Sequence, residues 1–442
     1  MSNSRQTVDL LIDAQWVVPV RPSKVSLKNH SVAVVANRIV AIMPTTDAHK
    51  TFVADKHIVL GNHVLIPGLI NLHTHAAMSL MRGQADDSPL MRWLSDHIWP
   101  TETRHISEQF VYDGTLLACA EMLRAGITFA NDMYFFPGAA IRAFIKSGMR
   151  AAIGIIVIYL PTAYASDAQN YLDKGLAIRD EYKHETKLSF CLAPDAPYTV
   201  NDKSLTQILT YAEQLNIPIH IHLHETLDEL RQSQTQYSMR PIERLQKLGM
   251  IGPGLLAVHC VHMEKHEIAL FARQGCHVVH CPSSNMKLAS GIAPIAELLA
   301  NGVNVGLGTD GAASNNRLDI FSEMRLAALL GKVATGQASA LPAHQVLEMA
   351  TINSAKALGL EDQIGSISVG KYADLVAVDF SAIELLPCYD PISHLVYVAG
   401  RENVSHVWVD GKLLVDQGKL NTIDRQEIQG IANYWQNRIS PS

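Results

Sequence analysis

Leu65-Ile66-Pro67-Gly68-Leu69-Ile70-Asn71-Leu72-His73-Thr74-His75 is an apolar run that ends in two histidines two positions apart. In a strand, residues i and i+2 point to the same face, so both imidazoles can reach one metal ion. A second apolar run, Val303-Asn304-Val305-Gly306-Leu307-Gly308, leads into Thr309-Asp310-Gly311 and places a carboxylate at another strand end. Histidines and an aspartate at the ends of buried strands point to a mononuclear hydrolytic metal site. His-x-His is a short motif, and a pair of surface histidines with a turn aspartate is the competing interpretation. The chain between the two segments decides between them.

That chain alternates apolar strands with helical patterns. Eight strands are predicted near 69–75, 127–133, 151–158, 188–193, 217–224, 255–260, 277–281 and 303–309. Amphipathic stretches such as 109–125, 205–215, 263–274 and 295–301 separate them, and 320–330 and 343–358 read as helices after the last strand. Eight strand–helix units predict an α/β fold, a (β/α)8 TIM barrel. The rival open doubly wound sheet would call for a Gly-x-Gly-x-x-Gly turn after a strand, and none is present. Short β segments fill both ends: 8–12, 16–20, 31–35, 39–42 and 63–66, then 374–378, 404–409 and 413–415, with Asp410-Gly411 as a hairpin turn. The predicted organisation is residues 1–66 as the first part of a small β-sandwich, 67–373 as the barrel, and 374–442 as the rest of the sandwich with a terminal helix.

Composition narrows the function classes. The 442 residues are 48% hydrophobic and 18% charged, with a net charge of −6. A large core is affordable, and nothing favours a phosphate backbone or anionic lipid, so neither nucleic acid nor membrane is an expected partner. No apolar run is long enough to span a bilayer. Met1-Ser2-Asn3-Ser4-Arg5-Gln6 lacks the basic-then-apolar pattern of a signal peptide. Six scattered cysteines without Cys-x-x-Cys fit a reduced, cytoplasmic setting. Homo-oligomer formation is left open.

In a barrel the site gathers at the C-terminal strand ends. His73, His75, His222, Glu225, His259 and Asp310 all fall there. His220, His222 and His224 alternate, so all three could face the interior. His222 is the favoured ligand because the chain continues to Glu225. Glu225, three positions on, converges with His222 only if the strand ends or bulges after Leu223, and Thr226 and Asp228 fit such an end. A carboxylate there suits general acid–base work; the alternative is an acid interacting with a helix dipole. His259 either ligates or orients the attacking water and stabilises charge. His280 is a minor candidate, and Cys260 and Cys281 are weak thiolate candidates.

These segments, together with Leu80-Met81-Arg82-Gly83, His222-Leu223-His224-Glu225-Thr226, His259-Cys260-Val261-His262, Pro282-Ser283-Ser284-Asn285-Met286-Lys287-Leu288, Gly308-Thr309-Asp310-Gly311-Ala312-Ala313-Ser314-Asn315-Asn316 and Gly370-Lys371-Tyr372-Ala373-Asp374-Leu375-Val376, resemble the amidohydrolase superfamily over nearly the whole chain. The likeness is to the branch that holds 5′-methylthioadenosine/S-adenosylhomocysteine deaminases and triazine hydrolases. It implies that His73, His75, His222 and Asp310 ligate one divalent metal per subunit, usually Zn2+, with Fe2+ or another divalent ion as alternatives. It implies Glu225 as proton shuttle, His259 as the water-orienting residue and Asp310 as acceptor of the water's proton. Glu102, in Trp99-Pro100-Thr101-Glu102, matches a glutamate that contacts ribose hydroxyls.

The implied activity is hydrolytic deamination of an adenosine-type nucleoside: 5′-methylthioadenosine, S-adenosylhomocysteine or adenosine. Dechlorination or deamination of an s-triazine and deamination of guanine are the alternatives on the same fold, and a non-catalytic scaffold ranks last. One departure concerns Asp195, in Ala193-Pro194-Asp195-Ala196-Pro197-Tyr198, where the deaminases usually carry a histidine that helps hold the nucleoside. An ionised carboxylate cannot donate a hydrogen bond to a purine nitrogen. A second departure is the apolar region around Ile155, where an arginine for a homocysteine carboxylate is missing. That favours methylthioadenosine or adenosine over S-adenosylhomocysteine.

Overall fold

The computed structural model describes residues 5–440; of the amino-terminal segment read above, residues 1–4 lie outside the described residues. Among the described residues sixteen strands occur in chain order: β1 Gln6–Val17, β2 Leu27–Val35, β3 Arg38–Pro44, β4 Phe52–Pro67, β5 Leu69–Thr74, β6 Ile127–Asp132, β7 Arg150–Val157, β8 Leu188–Pro194, β9 Ile219–Leu223, β10 Leu255–His259, β11 His277–His280, β12 Asn304–Leu307, β13 Leu375–Asp379, β14 Val404–Val409, β15 Lys412–Asp416 and β16 Lys419–Leu420. Strands β5 to β12 form one parallel sheet in sequential order. The closure between β12 and β5 is made just past the end of β12, where the Asp310 amide donates to the His73 carbonyl at 3.0 Å. The expected (β/α)8 barrel is present. Every residue of β5, β6 and β7 is buried, as continuous apolar runs in a parallel sheet require.

The seam between first and last strands is stapled by side chains. The Asn71 amide donates to Thr309 Oγ1 at 2.7 Å, and the Thr309 amide returns a bond to Asn71 Oδ1 at 2.9 Å. Backbones approach closely here: a Cβ on Gly308 would lie 2.8 Å from His73 Cβ and 2.9 Å from its nitrogen. Only glycine fits.

Both termini build a second, eight-stranded sheet in the order β16-β15-β14-β13-β4-β1-β2-β3. Leu10, Ile12, Val32, Leu65, Leu375 and Trp408 share its own apolar core, the sandwich core expected from the sequence. The separate segments predicted at 8–12 and 16–20 are covered mainly by a single strand, β1, and 63–66 is only the end of the long β4, because pairing with each other extends both. Asp410 and Gly411 carry φ of 54° and 70°, the backbone of a two-residue hairpin turn. The terminal helix Arg425–Ile439 packs on the barrel helix Glu108–Arg124, where Trp435 Nε1 donates to Asp113 Oδ2 at 2.8 Å.

Two local differences from the sequence reading have clear causes. The helix expected at 343–358 is broken into Ala343–Met349 and Ile352–Ala357. At the break the Ala350 carbonyl accepts from the Ile70 amide of β5 at 2.9 Å. The segment after β5, unassigned from sequence, holds Leu90–Trp93, a π-helical turn Leu94–Ile98 and Trp99–His105. No helix among the described residues is long and apolar enough to cross a membrane.

A buried clamp joins the two sheets. Arg150 at the start of β7 donates to Asp374 at 2.7 and 3.3 Å and also pairs with Asp410, while its guanidinium lies 4.0 Å from the Tyr372 ring centre. Arg150→Ala would leave Asp374 buried and unpaired, a loss of about 3–5 kcal/mol. The expected readout is a lowered urea midpoint, partly restored by adding Asp374→Ala. An unchanged midpoint in the single variant would show that the clamp is dispensable.

Candidate active site

The C-terminal strand ends gather side chains able to hold a metal ion in two overlapping groups, His73, His75 and Asp310 and then His73, His222 and His259, each with its donor atoms within 4.8 Å of one another. His73 Nε2 and His75 Nε2 each lie 3.3 Å from Asp310 Oδ1, and His222 Nε2 lies 3.2 Å from His73 Nε2. The outward nitrogens are all engaged. His75 Nδ1 donates to the Met133 carbonyl at 2.6 Å, and His222 Nδ1 donates to the Asp195 carbonyl at 2.7 Å. His73 Nδ1 lies 3.0 Å from His220 Nε2. Partners on Nδ1 fix ring orientation and leave Nε2 as a free lone pair, the usual support around a metal-ligating histidine. Three imidazole nitrogens and one carboxylate oxygen form a donor set suited to zinc and similar ions.

Electrostatics agree with that use. Burial holds the His73 imidazole well below its ordinary value, against the pull of Asp310, so it is neutral and able to ligate. Burial alone would raise the Asp310 carboxyl, but its contact with His73 and the neighbouring imidazoles of His75 and His259 hold it well below the usual range. Asp310 Oδ2 also accepts from Ser284 Oγ at 2.7 Å.

The three histidines of the 217–224 segment part company. His222 faces the cluster and His220 supports His73 from behind. His224 does neither, because β9 ends at Leu223 and His224 takes φ +54°. Its ring turns away, with Nδ1 3.7 Å from Glu267 Oε2. This is the strand ending that Glu225 needed. Glu225 is brought to the rim, buried, with Oε2 3.8 Å from His259 Nε2. Burial first, then the Asp310 and Asp195 charges, push its carboxyl up to about 7. His259 is stacked on His222 with ring centres 5.5 Å apart, and its Nδ1 is 2.8 Å from Asn285 Oδ1. Cys260, Cys281 and His280 are buried and belong to none of the side-chain groups among the described residues that are close enough to share an ion, and burial raises both thiols.

The cluster opens into a cavity of about 610 Å³. Glu102 and Asp195 both line it. Glu102 accepts from the Tyr134 hydroxyl at 2.6 Å, and burial raises its carboxyl to about 7. Asp195 Oδ2 accepts from Thr199 Oγ1 at 2.9 Å. The walls are largely apolar, with Trp93, Leu94, Trp99, Phe135, Ile156 and Ile158 among them, and no lysine or arginine of the described residues lines the cavity.

Sequence reasoning missed several supporting residues. Asn285 and Ser284 act through long-range contacts with no local spacing to mark their roles, and the alternation that marked His220 did not show that it backs His73. Glu229 did carry a signal, since Thr226-x-x-Glu229 is the spacing of a capping box. The Glu229 amide donates to Thr226 Oγ1 at 3.3 Å. Its own carboxylate reaches past the cap and accepts the His224 amide at 2.9 Å and the Glu225 amide at 2.8 Å.

The sequence model of the amidohydrolase family matches residues 64–414. A 5-methylthioadenosine/S-adenosylhomocysteine deaminase of Teredinibacter turnerae is 46% identical over 436 residues, covering 98% of both chains. A 5′-deoxyadenosine deaminase of Methanosarcina barkeri is 41% identical over 95% of this chain and 96% of its own. The crystal structure of an adenosine deaminase from Xanthomonas campestris with bound zinc superposes with a TM-score of 0.98 at 45% identity, covering 99% of each chain.

Glu229→Ala would leave two buried amides unpaired beside a left-handed residue. It is expected to cost about 2–4 kcal/mol, measured as a reduced urea midpoint. A variant with wild-type stability would mean that other groups hold the turn.

Proposed function

The chain belongs to the amidohydrolase family, and from that premise we propose that the barrel mouth deaminates adenosine-type nucleosides to their inosine analogues. The protein is a hydrolase acting on C–N bonds, and its balanced reaction is nucleoside plus water giving the 6-oxo product plus ammonia. One observation carries the assignment of the site: three Nε2 atoms and Asp310 Oδ1 converge beside Glu225, an acid that titrates near neutrality.

His73, His75, His222 and Asp310 would hold one Zn2+ or similar divalent ion per subunit. Such an ion supplies Lewis acidity and lowers the pKa of a bound water toward ~7. Asp310, kept ionised by its neighbours, accepts the proton of the attacking water. His259, oriented by Asn285, positions that water over the purine carbon that bears the amino group. Glu225 gives its proton to the adjacent ring nitrogen, which lets negative charge leave the ring as the carbon becomes tetrahedral. Asp310 passes the proton it accepted to the amino nitrogen, ammonia departs as the C–N bond breaks, and the hydroxyl proton of the tetrahedral carbon returns to Glu225 as the 6-oxo group forms. Glu102 accepts from ribose hydroxyls, and Asp195 offers acceptor oxygens to a donor on the nucleoside.

The walls bear on the 5′ group. A methylthio or methyl substituent meets apolar side chains, whereas a homocysteine carboxylate meets no cationic partner in the cavity. Six free cysteines, five of them buried, suit a reducing cytoplasm.

His73→Ala and Asp310→Ala are expected to lose the bound metal by elemental analysis; full occupancy in both would remove this ligand set. Glu225→Gln should keep the metal and lose kcat by ~100-fold or more. Near wild-type turnover would take the proton-shuttle role from Glu225.

Ammonia release from a panel decides the substrate. Methylthioadenosine or 5′-deoxyadenosine should exceed S-adenosylhomocysteine in kcat/KM by roughly 10-fold or more, the effect of one unpaired charged group at a few kcal/mol or less. Reaction with guanine or an s-triazine alone would overturn the nucleoside assignment and leave the fold.

A further inference from the structure

A second cluster of metal-ligating side chains lies in the terminal sheet, outside the barrel mouth. Asp13 on β1 turns its Oδ2 toward His49, on the helix Thr45–Thr51, and His57, on β4. His49 Nε2 and His57 Nε2 are each 2.7 Å from that one oxygen, and the two rings meet edge to face with centres 5.1 Å apart. The three donor atoms lie within 4.8 Å of one another. Ser31 Oγ on β2 donates to the other carboxylate oxygen at 2.5 Å, and Thr45 Oγ1 lies 3.1 Å from Ser31 Oγ. The carboxylate is therefore oriented from behind, as supporting groups orient a metal-binding carboxylate.

Exposure is graded in a way that suits capture of an ion. The Asp13 side chain is 8% exposed, while those of His49 and His57 are 47% and 39% exposed. The fixed ligand is deep and the two adjustable ones are open to solvent. Two imidazoles and a carboxylate are the donor set of borderline divalent transition ions rather than of calcium or magnesium. In a tetrahedral site neighbouring ligand atoms sit about 3.3 Å apart. The half-exposed rings need to open by roughly half an ångström, and water completes the shell.

We propose that Asp13, His49 and His57 form a second, non-catalytic site for a divalent transition ion of the zinc type, which ties the helix Thr45–Thr51 and β4 to β1. The site is separate from the barrel cluster and depends on none of its residues. It holds whether or not the nucleoside assignment does.

The test uses the full-length protein equilibrated with excess Zn2+, desalted, and analysed for metal. Wild type should carry one equivalent more than His49→Gln/His57→Gln. In the Asp310→Ala background the ratio should fall from about one to zero on adding the same pair, which separates this site from the barrel site. The double variant should keep its kcat/KM for methylthioadenosine within about 2-fold. As a second readout, added Zn2+ should raise the Tm of Asp310→Ala but not of the triple variant, because an ion that binds only the folded state stabilises it. Equal metal content with and without the two histidines overturns the proposal, as does an equal Tm response.

Discussion

The exchange between Asn71 and Thr309 is the constraint on which the rest depends. It joins residues 238 positions apart across the one junction of the barrel that chain order does not build. One side-chain amide meets a hydroxyl and an amide of the facing segment, so register at the seam is fixed by polar groups inside an apolar barrel. A slip by one residue would turn His73 out of the barrel and leave a buried amide and hydroxyl unpaired. The position of Asp310 beside His73 and His75 is thus set by the same bonds that close the fold.

Strand ends complete the arrangement through strained backbone. His224, His259 and Asp310 have φ of 54°, 73° and 63°, a region that costs non-glycine residues of order 1–3 kcal/mol. Each bend redirects the chain as it leaves the barrel and aims a side chain at the mouth or away from it. The cost is offset locally: Glu229 takes two amides after β9, and the Gly311 amide donates to Asp310 Oδ1 at 2.7 Å. The side chains at the mouth are held in place because they sit on or just past the ends of buried strands and the bends there are hydrogen-bonded.

Much of this was legible in the sequence, for definite reasons. Strand periodicity placed His73 and His75 on one side, and the apolar run before Asp310 placed it at a strand end. Alternation alone could not rank His220, His222 and His224, because the deciding event is a change of backbone region at His224. Logic of convergence did require that break, and it occurs. Glu102 was matched to a ribose-contacting glutamate by resemblance alone, because nothing in Trp99-Pro100-Thr101-Glu102 by itself separates it from a surface acid. Its burial comes from Tyr134 and the cavity wall, which are distant in sequence. Asn285 and Ser284 support His259 and Asp310 only through the closed barrel, so no local pattern marks their roles.

Strand β4 runs into β5 with only Gly68 between them, so one extended stretch serves two sheets. Its partners arrive late. The seam cannot form until Thr309 has been synthesised, and the other side of β4 is paired by β13, which begins at Leu375. For most of its synthesis the chain therefore presents two open β edges, one in each sheet. Pairing over such separations is slow, and open apolar edges invite pairing with other chains. The same continuity that lets one stretch serve two sheets leaves the nascent chain with edges that another chain can pair until its late strands arrive.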